Sequence, residues 1–173
     1  AAVTLTAKNA VAVNGTVDAK TTAAVTAQDA SVTLASGSKV TADAKVALDG
    51  KTGVSGAGTV DATGAELDVD AADGAISLTG VVTANDADFT ANVAVSVANE
   101  NNDFTGDVTA SGASVTLKDK NGIALGNVTA SGGDVVVDAL GGNITVNGSK
   151  TVKSTAAAVT LTAKNAVAVN GTV

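Results

Sequence analysis

Apolar and polar residues alternate along this chain in short runs, and the runs return at a regular distance. The triplet Val-x-Ala recurs at Val17-Asp18-Ala19, Val40-Thr41-Ala42, Val60-Asp61-Ala62, Val82-Thr83-Ala84, Val108-Thr109-Ala110 and Val128-Thr129-Ala130, with Val152-Lys153-Ser154 as a variant, at spacings of 20–26 residues. Two further triplets precede each. One series begins at Val3, Val25, Val46, Leu67, Val93, Val115 and Val135, the other at Val11, Val32, Val54, Ile76, Phe104, Ile123 and Ile144. No outer position of any triplet is charged, whereas middle positions carry Asp18, Asp61, Asp68 and Lys153. A period of two with charge confined to one side is the signature of a strand with one face in a core and one in water.

Between triplets stand Asn14-Gly15, Asn121-Gly122, Gly141-Gly142 and Asn147-Gly148, residues that accept the positive φ of a sharp corner. Three strands and three corners per coil predict an all-β chain, a right-handed parallel β-helix of triangular section. Stacking brings like strand onto like, and the usual twist of parallel crossovers sets the hand. A longer repeat encloses the short one: AAVTLTAKNAVAVNGTV fills residues 1–17 and again 157–173, an offset of 156. Residues 1–156 therefore read as one full tandem unit of about seven coils, and residues 157–173 as the start of the next. Seven coils would rise about 34 Å, and continuation into an identical unit predicts a whole number of coils.

Composition narrows the interior. The 173 residues include no Cys, His, Pro, Met, Trp or Tyr, and the aromatics are Phe89 and Phe104 alone. The core must then be filled by Val, Ala, Leu and Ile, which suits a narrow, regular cross-section. With a net charge of −7 and no Arg the chain is a poor partner for nucleic acid. No apolar run approaches the roughly 18 residues of a membrane helix, so membrane insertion is not expected.

The stretches Gly126-Asn127-Val128-Thr129-Ala130-Ser131-Gly132-Gly133-Asp134-Val135-Val136-Val137 and Gly142-Asn143-Ile144-Thr145-Val146-Asn147-Gly148 resemble the repeats of filamentous haemagglutinin-type proteins. The resemblance implies a right-handed parallel β-helix with coils of about twenty residues. It also implies export by a two-partner or autotransporter route and a place in the shaft of a bacterial adhesin. That family assigns no catalytic residues to its shaft repeats.

Without His or Cys the usual nucleophilic triads and zinc sites cannot form, and no enzyme activity or cofactor is expected. The densest acidic cluster is Glu66, Asp68, Asp70 and Asp73, followed by Gly74. Two readings fit it: a weak calcium site, since oxygen ligands at that spacing suit Ca²⁺, or a solvated strand face ending in a turn. Asn14, Asn127, Asn143 and Asn147 open N-glycosylation patterns, which a chain rich in Asn, Gly and Thr also produces by chance. Asn99, Glu100, Asn101, Asn102 and Asp103 show no strand alternation and are expected to bulge as a loop, either a tolerated insertion or a contact site. The expected function is a structural shaft or filament segment of a giant exported protein on the bacterial cell surface. Its partners would be neighbouring repeat units end to end. Two alternatives remain at this point: adhesion to a host or neighbouring cell, or filament contact, through the 99–103 loop, and a tandem β-sandwich adhesin or surface-layer array.

Overall fold

Wherever the alternation holds, the backbone runs extended, and wherever it lapses the chain turns. The computed structural model describes residues 1–173, which contain no helix. The first coil holds β1 (Val3–Ala7), β2 (Val11–Val13) and β3 (Thr16–Ala19), and the second β4 (Thr22–Ala27), β5 (Ser31–Leu34) and β6 (Lys39–Ala42). Next come β7 (Lys45–Gly50), β8 (Gly53–Gly56) and β9 (Thr59–Ala62), then β10 (Glu66–Ala71), β11 (Ala75–Leu78) and β12 (Val82–Ala84). The fifth coil is β13 (Ala87–Ala91), β14 (Ala94–Val97) and the two-residue β15 (Asp103–Phe104). After it follow β16 (Asp107–Gly112), β17 (Ser114–Asp119), the long β18 (Ile123–Ala130), β19 (Val135–Ala139), β20 (Ile144–Val146), β21 (Val152–Ser154), β22 (Val159–Ala163) and β23 (Val167–Val169).

Every strand pair is parallel. That pattern makes a β-solenoid of about eight turns and leaves no room for a sandwich of antiparallel sheets. The first sheet runs β1-β4-β7-β10-β13-β16-β18-β20-β23 with β21 beside β18, the second β2-β5-β8-β11-β14-β17-β19-β22, and the third β3-β6-β9-β12-β15. Inside the first sheet Leu5, Val25, Leu48, Val69, Phe89, Ala110, Val128 and Val152 form one continuous column. The buried apolar side chains of all three sheets join in a single cluster of 43 residues. Phe89 and Phe104 meet in it edge to face, with ring centres 6.1 Å apart, an arrangement that the ring quadrupoles favour.

The third sheet ends at β15, and the cross-section changes there. β18 is long enough to serve two places in the coil. Its Ile123–Leu125 half pairs with β20 and its Val128–Ala130 half with β21, with a register shift where it passes β16 between Val108 and Ala110. The expected ladder of Val-x-Ala triplets therefore holds for Val17, Val40, Val60 and Val82, all in the third sheet. Val108, Val128 and Val152 belong instead to the first sheet. The triplet expected at Val93 is displaced as well: Val93 is exposed, and Val95 and Val97 face the core.

The corners also differ from expectation. Positive φ falls at Gly37, Gly53, Gly56, Gly64 and Ser149, and at none of the four corner pairs named above. At Gly122 and Gly142 the demand is for space. A Cβ on Gly142 would lie 2.9 Å from the Gly122 backbone of the adjoining coil, closer than atoms can sit without moving the coils apart.

The two copies of the 17-residue sequence occupy different faces. In the first copy Val3–Ala7 is β1 of the first sheet and Val11–Val13 is β2 of the second. In the other copy Val159–Ala163 is β22 of the second sheet and Val167–Val169 is β23 of the first. From Val3 the chain advances one face to Val11, then makes seven turns up the second sheet to reach Val159. The 156-residue offset is thus seven turns and one face, and the expected whole number of coils is corrected by that face.

Candidate functional site

β10 presents Glu66, Asp68 and Asp70 outward, because Leu67, Val69 and Ala71 take the core positions. Stacking extends this acidic face along the shaft, with Asp49 beside Asp70 and Asp68 beside Asp88. Lys45 of β7 answers part of it, its ammonium lying 3.0 Å from Glu66 Oε1 and 3.2 Å from Asp68 Oδ2. The hydrogen bond to Glu66 is the chief reason that Lys45 holds its proton more tightly than usual. Partial burial, then the charges of Asp49, Asp68 and Asp88, raise Asp70 above the ordinary carboxylate range. Burial and Asp68 do the same for Asp88. Asp73 lies past the end of β10, at the corner before β11, and Gly74 closes that turn with an N–H bonded to Ala71 O. Nowhere do three carboxylates converge closely enough to hold a metal ion. Glu66 and Asp68 thus stand on an outward strand face and share the Lys45 ammonium.

Residues 99–103 do not bulge as a free loop. Asn99 Nδ2 donates to Thr79 O at 2.8 Å and Asn99 Oδ1 accepts from Asn101 N, a tight local turn. Asn102 is fully buried: Val82 N donates to its Oδ1 at 2.9 Å, and its Nδ2 donates to Val97 O and Lys118 O. One amide thereby satisfies backbone groups from three coils. Asp103 enters β15 and pairs with Lys120 at 2.8 Å, and only Glu100 and Asn101 stand fully exposed. Asp119, also buried, accepts from Phe104 N at 2.7 Å and Asn121 N at 2.6 Å. Burial raises its proton affinity against the pull of those two donors. On the third face Asp61 accepts from Thr63 and Thr83 and pairs with Lys39 at 2.8 Å, and Lys39 foremost lowers it to about 2.

Corner asparagines and aspartates carry a role that strand alternation does not display: they tie one coil to the next. Asn127 Oδ1 accepts from Thr151 N, Asn143 Oδ1 from Ala166 N, Asp86 Oδ1 from Asp107 N and Asp134 Oδ1 from Ala158 N. Asn127 and Asn143, two of the four asparagines in glycosylation patterns, are engaged in this way, and Asn147 Nδ2 donates to Asp107 Oδ1 at 2.6 Å. The signal is present in the sequence as a separation of 21–24 residues, one coil, in the four backbone ties. No buried side-chain nitrogen or oxygen is left without a partner.

The two copies of the 17-residue sequence also differ in burial. Val13 and Val17 are 4% and 9% exposed beneath the second coil, whereas their sequence twins Val169 and Val173 are 48% and 54% exposed. No residue from 157 to 173 is buried.

No curated protein and no solved structure matches the chain. A family model does match, over residues 50–111 and again over residues 112–173. Gly50 and Gly112, where the two matches begin, end strands β7 and β16, and the residues just before them, Asp49 and Ser111, are joined through Asp70 and Thr90 as successive steps of one ladder. The first match is therefore three turns of the solenoid. Both glycines stand where a Cβ would press on the backbone, 2.8 Å from Val32 N at Gly50 and 3.0 Å from Val93 O at Gly112. With most of its length covered by two adjoining matches in the same register, the chain belongs to the family of repeats of unknown function (DUF5649).

Proposed function

We propose that this chain is a structural shaft segment of a large exported bacterial surface protein of the filamentous haemagglutinin type. It stands outside the cell, catalyses nothing, and joins neighbouring repeat units end to end. The observation that carries this reading is the unbroken core column from Leu5 to Val152, which makes the molecule a rod whose length is set by the number of coils. The side chains suited to chemistry are engaged in holding coil to coil, as Lys45, Asp61, Asn102 and Asp119 show. Adhesion through residues 99–103 is less well supported, because Asn102 and Asp103 are committed to the shaft.

A shaft is tested by its reach. Inserting further copies of residues 1–156 into the cell-borne protein should carry a terminal epitope outward by about 35 Å per copy, at about 4.8 Å per turn, as measured by electron microscopy of labelled cells. An epitope that stays at the same height, or that is found only inside the cell, would overturn the reading.

A further inference from the structure

The second sheet differs from its two neighbours in charge. Over the first five coils its strands β2, β5, β8, β11 and β14 read VAV, SVTL, GVSG, AISL and AVSV, without one charged residue. Over the same coils the first sheet carries Lys45, Glu66 and Asp70, and the third carries Asp18, Lys39 and Asp61. The outward column Ala12, Thr33, Ser55, Ser77 and Ser96 holds nothing larger than threonine. Such a face is flat, and its hydroxyls both donate and accept, so it can meet a copy of itself. The corner between the first and second sheets, beside this face, is charged in a set order. Lys8, Asp29, Lys51 and Asp73 stand there exposed on successive coils, which Asp29 N joins to Lys8 O, Lys51 N to Ala27 O and Asp73 N to Lys51 O. Lys51 Nζ lies 3.9 Å from Asp29 Oδ1. The signs run plus, minus, plus, minus.

We propose that the second sheet over the first four coils is an interface with a second copy of the chain, laid face to face and antiparallel. The two-fold axis lies along the strands, between the second and third coils. It sets the first coil of one copy against the fourth of the other, and the second against the third, and it brings the two charged corners together. Lys8 then meets Asp73 of the second copy and Asp29 meets Lys51, in both directions, because the order of signs read backwards is its own complement. A parallel two-fold pair sets each charged corner against the far edge of the sheet, at Asn14, Ala35, Ala57 and Thr79, and leaves the four charges unmatched. On the other faces the net charge of −7 keeps copies apart. Four rungs of about 4.8 Å by five residues of about 3.3 Å give roughly 300 Å² on each copy, against about 800 Å² for a stable interface. Single chains therefore pair weakly, and longer shafts gain strength by repeating the contact. Shafts rooted in one surface point the same way, so an antiparallel contact joins shafts from facing surfaces.

This inference rests on the shaft reading, and the experiment separates the two. The chain has no cysteine, so single substitutions at the exposed Ala12 and Ser77 report cleanly. Full-length Ala12→Cys and Ser77→Cys chains, mixed and treated with a short bismaleimide, should give a cross-linked dimer whose yield rises with concentration. Either chain alone should give little, because like positions then lie about three rungs, about 14 Å, apart along the axis. Lys8→Glu and Asp73→Lys, each alone, should weaken association about tenfold in sedimentation equilibrium, since each sets like charges together twice. Mixing those two variants should restore it. Cross-links within Ala12→Cys alone would show a parallel pair and overturn the antiparallel interface. It is overturned as well if the charge variants associate like the parent or do not recover on mixing. Single rods without cross-links overturn the interface but leave the shaft reading intact. Particles that are not rods overturn both.

Discussion

Asn102 shows how a single side chain can hold a solenoid together at the point where its section changes. The third sheet ends two residues later, and the backbone groups of Val82, Val97 and Lys118 would each lose this hydrogen bond if the amide were missing. Leaving buried donors and acceptors unpaired costs about 1–3 kcal/mol for each group. Asn102→Ala should therefore lower the unfolding free energy by about 2–4 kcal/mol in urea titrations, whereas Asn101→Ala, at an exposed position, should change it by less than about 0.5 kcal/mol. Equal effects from the two would mean that residues 99–103 are a free loop after all. Asn102 could not be distinguished in the sequence from its neighbours Asn99 and Asn101, because nothing local marks which of three polar residues in a non-alternating stretch turns inward.

The strand β10 gives the element scale its test, since it stacks carboxylate on carboxylate. Asp70 faces Asp49 one rung below it and the charges of Asp68 and Asp88 nearby, and Lys45 serves Glu66 and Asp68. Asp70 and Asp88 bind protons more tightly folded than unfolded, so their stabilising contribution is present in acid and is lost as pH rises through their folded values. Asp61 acts in the opposite sense. Its contribution is present above 3.8 and lost as pH falls towards about 2. Stability should accordingly rise on mild acidification from pH 7 and fall again in strong acid. Asp70→Asn should raise the urea midpoint at neutral pH and flatten the acid-side rise, and a lower midpoint at pH 7 would show that the carboxylate is paired. At this scale the sequence was most informative where β-branched residues alternate with polar ones, as in Val32-Thr33-Leu34. It was least informative at β13, whose core positions are Ala87, Phe89 and Ala91 and whose pattern does not repeat that of its neighbours. The face on which a strand lies was not legible either. Val82-Thr83-Ala84 and Val108-Thr109-Ala110 share a motif but belong to different sheets. Coil lengths and closure decide the face, as the two placements of one 17-residue sequence demonstrate.

For the whole molecule the central claim is that each turn adds one rung to a single axis. Outward positions Thr6, Thr26, Asp49, Asp70, Thr90, Ser111, Thr129 and Lys153 form one column along the first sheet. The Val-x-Ala period and the seventeen-residue duplication pointed to such a stack, while the end of the third sheet at β15 and the one-face advance per 156 residues emerged only from the pairing. The most direct test places nitroxide labels on Thr6 and Thr90, four rungs apart, and on Thr6 and Lys153, seven rungs apart, and measures the separations by pulsed electron paramagnetic resonance. The solenoid predicts backbone separations of about 19 Å and about 34 Å, growing in proportion to the rung number at about 4.8 Å each. Separations that do not grow with rung number, or that place Lys153 as near to Thr6 as Thr90 is, would contradict it.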